Sequence, residues 1–191
     1  MDAASPLPPF AAIVVAAGKG LRVGGDTPKQ FRDWRGKPLI RHSVEALKAA
    51  GADPLLVVVA PDASKHAEAA LAGIAGLGFI TGGATRQDSV RCGLEALAEA
   101  SPLHVLIHDA ARPDLPRGVI ERLLTALADH PGAIPVLPVV DSLAIASDGV
   151  MTGKAEREAL RRVQTPQAFR FDAILTAHRD WQGPTDAGDD A

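Results

Sequence analysis

Short apolar runs, nearly free of charge, recur along this chain with amphipathic stretches between them, and that alternation restricts its fold more than any other feature. The runs are Phe10–Ala17, Pro54–Ala60, a shorter one closing at Phe79–Thr81, Leu103–His108 and Ala133–Val140. A strand that is apolar on both faces needs cover on both faces, as in a parallel sheet sandwiched by helices. The intervening stretches supply the helices. Ile40, Val44 and Leu47 recur at helical spacing over Leu39–Ala50, with Gly51 as a stop signal. Asp62–Ile74 is alanine-rich, and Val90, Leu94 and Leu97 share one face of Arg86–Ala100. Asp114 is a candidate N-cap for a helix carrying Val119, Ile120, Leu123, Leu124 and Leu127, with Pro116 in its first turn. Strands alternating with helices imply right-handed crossovers and a mostly parallel sheet.

The rhythm breaks after Val140. Leu143–Ser147 and Val150–Lys154 flank Asp148-Gly149, a strong two-residue hairpin signal, so an arm of about residues 141–165 is expected to project from the sheet. Residues 155–170 read as irregular and basic, and Phe171–Asp180 as a helix. Residues 1–9 are small and proline-rich and are expected to be disordered, leaving residues 10–191 as one domain.

Hydrophobic residues make up 47% and charged residues 23%, which rules out a largely disordered chain. A formal net charge of −3 argues against general nucleic-acid binding, so any anion site must be a local cluster of cations. The single cysteine, Cys92, permits no internal disulfide; it lies in a helix beside Gly93 and reads as core. With no leader-like start and no membrane-length apolar stretch, a cytoplasmic protein is expected.

Three stretches fall at strand ends, where open α/β sheets bind ligands. The first lies within AIVVAAGKGLRVGGDTPKQ, residues 12–30, where a buried strand passes into a cationic glycine loop. Gly18 and Gly20 let backbone N–H groups approach phosphate oxygens, Arg22 offers a planar fork, and Lys29 a compact charge. A Walker A loop would need Ser or Thr where Leu21 stands, and a dinucleotide fingerprint would need glycine at Val23. The plain alternative is a surface turn with solvated charges. The second stretch, Gly82–Ser89, places Arg86 and Ser89 three apart in a first helical turn, either toward a ligand or as an ordinary cap. In the third, Asp109 can hold Mg²⁺ or a ribose hydroxyl, or simply pair with Arg112. One pocket lined by all three is the economical inference. His104 and His108 stand about 13 Å apart if their segment is a strand, which excludes a shared metal.

Taken together, AAGKGLR with PKQ, GGATRQDSV, HDAARP and TPQAF closely resemble 2-C-methyl-D-erythritol 4-phosphate cytidylyltransferase, in order from about Phe10 to Phe171. The resemblance implies a Rossmann-like, mostly parallel α/β sheet of nucleotidyltransferase type, with the inserted hairpin arm forming homodimers. It implies CTP and methylerythritol phosphate as substrates, Mg²⁺ as cofactor, and no nucleic-acid or membrane partner. Arg22 and Lys29 match the pair that stabilises the reacting phosphates. Ala16, Ala17, Gly18, Gly20, Gly83, Arg86, Ser89 and Ala110 match positions around the nucleotide. Asp109, Arg112, Ser142, Arg157 and Thr165 fall at positions for the acceptor substrate, with Asp109 also a candidate metal ligand. Ser142 stands where threonine is expected. Either Thr185-Asp186 or Gly188–Ala191 matches the family's Thr-Asp-acidic-Ala element, and the family's last strand and helix are not in the chain. The chain is therefore expected to be incomplete, and a fusion to a cyclodiphosphate synthase is one origin for it. Two rival readings remain open: a ribitol-5-phosphate or sugar-phosphate nucleotidyltransferase, and a nucleotide-binding module without turnover.

Overall fold

The computed structural model describes residues 7–18, 28–184 and 190. In chain order, strand β1 (Ala11–Ala16) is followed by a small hairpin, β2 (Asp33–Trp34) and β3 (Lys37–Pro38), and by helix α1 (Leu39–Ala49). Then come β4 (Leu55–Val59), α2 (Ser64–Ala70), β5 (Leu77–Thr81), α3 (Arg86–Ala96), β6 (His104–Asp109) and α4 (Arg117–Ala126). The final part holds β7 (Gly132–Ala133), β8 (Val136–Pro138), β9 (Ala144–Ser147), β10 (Val150–Lys154), β11 (Arg161–Val163), β12 (Gln167–Arg170) and α5 (Phe171–Asp180).

Six strands form the central sheet in the order β5-β4-β1-β6-β12-β7. The first four are mutually parallel, with Val14 opposite Val57 on one side and His108 on the other. Only β12 runs against its neighbours. Alternation along the strands sorts the core into two layers. Ala12, Val14, Val57 and Leu106 pack with Ile40, Val44 and Leu47 of α1 and Ile120, Leu123 and Leu124 of α4. Ile13, Val58, Val105 and Ile107 pack on the opposite face with Val90 and Leu94 of α3 and Ile174 and Leu175 of α5. Burial on both faces is why these strands read as uninterrupted apolar runs. Gly93 lets α3 sit close to the sheet, since a Cβ there would come within 2.9 Å of the Ile13 side chain.

The hairpin arm forms as read, with Asp148 at φ 50° and Gly149 at φ 79° in the left-handed turn that matches strand twist. Several sequence expectations are corrected. The second helix covers only Ser64–Ala70, because it has no side-chain cap and Gly73 turns at φ 82°. Asp114 is not a cap: Leu115 is buried in the core, which keeps the chain extended to Pro116, and the helix starts at Arg117. The run Ala133–Val140 divides at Pro135; Gly132–Ala133 stays at the sheet edge while Val136–Pro138 leaves to pair with β11. Residues 155–170 are not irregular, since they supply β11 and the buried strand β12. Cys92 is half-buried rather than core. Among the described residues, no helix is long and apolar enough to cross a membrane.

Candidate active site

After β1 the chain moves outward to β4 and β5, then returns to place β6 on the other side of β1. The strand order therefore reverses between β1 and β6, and the crevice outside the carboxyl ends at such a point is the usual ligand position in these sheets. Val15 lies opposite Asp109, and the Ala110 N–H donates to the Val15 carbonyl at 3.0 Å. The first and third motifs are thus in contact. The second joins them: a Cβ added to Gly82 would lie 2.8 Å from the Ala17 Cβ and 2.7 Å from the Ser89 Oγ. Glycine at this position is what allows that approach. All three strand-end stretches share one edge.

Gln30 closes the cationic loop. Its buried amide donates to the carbonyls of Ala16, at 2.7 Å, and Gly18, at 3.0 Å. This returns the exposed Lys29 to the end of β1 although the two are well separated in sequence. Gly20 and Arg22 lie outside the described residues.

At the second turn, Thr85 caps α3 in a reciprocal box with Asp88. Ser89, 1% exposed, accepts from the Gly83 N–H at 3.2 Å and donates to the Thr85 carbonyl at 2.8 Å. It stands behind the glycine turn and shapes it. Arg86 does not stand free beside Ser89. Its Nε donates to Asp109 Oδ1 at 3.2 Å and its Nη1 to Asp190 Oδ2 at 2.8 Å. Burial works against the Arg86 charge, but the two carboxylates outweigh it and raise its pKa.

Asp109 is held from several directions. Arg112 Nε donates to its second oxygen at 3.1 Å, so the Asp–Arg pair is present together with a second arginine. Arg112 also donates to Gln164 Oε1 at 2.6 Å. The Asp109 N–H donates to Thr165 Oγ1 at 3.2 Å. Behind it lies His108, fully buried, with Nε2 3.0 Å from the Arg112 carbonyl and Nδ1 3.1 Å from Thr165 Oγ1. Burial pushes the His108 pKa down to about 4, so the ring is neutral at pH 7. Ser43, on α1, donates to the carbonyls of Ala110 and Arg112 and helps fix the same loop.

Asp109 suits Mg²⁺ poorly in this arrangement. Both its oxygens accept from arginines, and two guanidinium charges oppose a dication beside them. Among the described residues no three His, Cys, Asp or Glu side chains gather as a metal cage.

Ser142 and Arg157 are exposed on the arm. Arg157 donates to the Val140 carbonyl and the Glu158 carboxylate, and borders a cavity of about 510 Å³ with Pro138, Val139, Val140 and Arg161. Among the described residues these contacts stay within the arm and its root at residues 138–140. Asp190, which lies in the second of the two candidate acidic elements and is not singled out by the sequence as a site residue, has its carboxylate fully buried between Arg86 and His178, and its N–H donates to Gln167 Oε1 at 2.8 Å. Burial raises its pKa against the pull of Arg86. Thr185-Asp186 and, apart from Asp190, Gly188–Ala191 lie outside the described residues. A run of acidic residues gives no hint that one of them is buried.

The pattern of a family described as 2-C-methyl-D-erythritol 4-phosphate cytidylyltransferase matches residues 10–191. The bifunctional enzyme IspD/IspF of Erythrobacter litoralis is 64% identical, over 100% of this chain and 50% of that protein. The 2-C-methyl-D-erythritol 4-phosphate cytidylyltransferase of Cereibacter sphaeroides is 49% identical, over 91% of this chain and 78% of that one. The crystal structure of the cytidylyltransferase of that name from Thermus thermophilus superposes with a TM-score of 0.76 at 36% identity, over 95% of this chain and 81% of its own. The bifunctional IspDF of Campylobacter jejuni shares the fold, with a TM-score of 0.78 at 23% identity over 95% of this chain and 45% of its own. The chain spans about half the length of the bifunctional relatives it matches.

Proposed function

This chain belongs to the 2-C-methyl-D-erythritol 4-phosphate cytidylyltransferase family, and we propose that it transfers CMP from CTP to 2-C-methyl-D-erythritol 4-phosphate, giving 4-diphosphocytidyl-2-C-methyl-D-erythritol and pyrophosphate. The observation that carries this reading is the meeting of Ala17, Gly82 and Asp109–Ala110 at the crevice between β1 and β6.

A phosphate monoester has a second pKa of about 6, so the attacking oxygen is already largely ionised at neutral pH. It forms a bond to the α-phosphorus of CTP, the bond to the bridging oxygen breaks, and pyrophosphate leaves with that electron pair. No proton need be removed from the nucleophile. His108 is unsuited to be a base, since both its nitrogens are engaged and it is fully buried. The work left to the protein is alignment and charge neutralisation. Lys29 and Arg22 meet the charge that grows at the α-phosphate, and the backbone at Ala16–Gly20 and Gly83 frames the nucleotide. Mg²⁺, carried on the phosphates of CTP, would neutralise part of the triphosphate charge.

The arm supports a homodimer. Leu143, Ile145, Val150, Met151 and Leu160 are exposed on it, and Val136, Leu137 and Val140 are exposed at its root. Apolar surface of this extent marks a protein contact. A second copy covering it brings Ser142 and Arg157 to the neighbouring crevice, which explains why neither meets Asp109 in its own chain. The half-length match to bifunctional relatives favours a cyclodiphosphate synthase as the companion domain in the full protein. Highly charged substrates, which do not cross bilayers unaided, favour a cytoplasmic site of action.

Product analysis by ³¹P NMR, with CTP and a panel of acceptors, tests the activity. The expected result is product and pyrophosphate with methylerythritol phosphate. Preference for ribitol 5-phosphate, or tight CTP binding with no product from any acceptor, would overturn it.

A further inference from the structure

We infer that His108 is a positioning residue that sets the hydrogen-bond polarity of Thr165, leaving the Thr165 hydroxyl able to accept but not to donate. The inference rests on the cytidylyltransferase reading for the identity of the substrate, but its structural half stands alone.

The Arg112 carbonyl can only accept, so His108 Nε2, 3.0 Å away, must carry the ring proton. The ring is fully buried and no carboxylate is among its hydrogen-bond partners, which favours the neutral form with a single N–H. Nδ1 is then bare, and the Thr165 hydroxyl, 3.1 Å from it, must donate its proton there. One Thr165 lone pair accepts from the Asp109 N–H at 3.2 Å. A hydroxyl has one proton and two lone pairs, so a single acceptor lone pair remains.

A phosphate at neutral pH also offers almost only acceptors, and two acceptors facing each other repel. Thr165 therefore reads a hydroxyl of the acceptor polyol, while the cationic side chains hold its phosphate. The half-buried Thr165 is well placed for this beside Asp109 at the carboxyl end of β6. His108 touches no substrate and acts through Thr165.

The test has two arms on the full protein. Histidine ¹⁵N spectra at pH 7 are expected to show the Nε2–H tautomer for His108, and the Nδ1 resonance should move when Thr165→Val removes its donor. An Nδ1–H tautomer or an imidazolium would overturn the inference whether or not CMP transfer is found. In kinetics, Thr165→Val should raise the KM for methylerythritol phosphate by about tenfold, the loss of one hydrogen bond. Competitive inhibition by inorganic phosphate should stay unchanged, and His108→Gln should add nothing further in the Thr165→Val background. Loss of phosphate inhibition in Thr165→Val, an unmoved KM, or additive effects of the two substitutions would each contradict it. A wild-type protein that transfers no CMP, with the Nε2–H tautomer present, would reject the functional reading and not the geometry.

Discussion

Lys29→Ala is expected to lower kcat by about 10²–10³-fold, the size seen when one preorganised transition-state contact is removed, with little change in the KM for CTP. Lys29 is exposed, so its loss should not disturb the fold. Gln30, the next residue, clamps the carbonyls of Ala16 and Gly18, which brings the backbone at Lys29 back to the end of β1. In the proposed transfer, charge builds on the α-phosphoryl oxygens as pyrophosphate departs, and a contact that strengthens there acts on turnover more than on binding. Arg22→Ala should behave alike. Steady-state kinetics with both substrates varied is the measurement. Unchanged kcat with only a raised CTP KM would reduce both residues to binding contacts.

The second large effect concerns the arm. Ile145→Asp combined with Met151→Asp is expected to convert the proposed dimer into monomers, since both side chains are more than half exposed in the single chain. An unpaired carboxylate buried at the contact costs several kcal/mol, enough to dissolve a modest interface. Monomers should keep CTP affinity, because the proposed nucleotide crevice is built within one chain. They should lose most transfer activity, because in the proposed dimer Arg157 and Ser142 complete the neighbouring site. Sedimentation equilibrium alongside activity decides the matter. A fully active monomer, or a wild-type chain that is monomeric at tens of micromolar, would contradict it.

Much of this architecture was legible in the residues. Ala11–Ala16, Leu55–Val59 and His104–Asp109 are buried on both faces, so their apolar runs announced central strands, and Asp148-Gly149 announced its turn. Strand β12 was not legible. Gln167–Arg170 has neither alternation nor β-branching, and it is a strand only because β6 and β7 lie on either side of it. The three strand-end motifs could be placed on one edge from topology alone. What each side chain does there could not. Arg86 reads as a ligand contact until Asp109 and Asp190 are seen to engage it, and Asp190 lies 104 residues away in sequence. His108 reads as an ordinary sheet residue, and its role emerges only from the groups at its two nitrogens. Such roles depend on pairings between distant segments, which no local pattern encodes.

The nucleotide is proposed to sit in the crevice between β1 and β6. Titrating CTP with magnesium into ¹⁵N-labelled protein, with backbone amides assigned, tests it most directly. The largest shifts are expected at Ala17, Gly18, Gly83, Asp109 and Ala110, from all three strand ends together. Shifts confined to the cavity around Arg157 and Arg161, with those five amides unmoved, would contradict it.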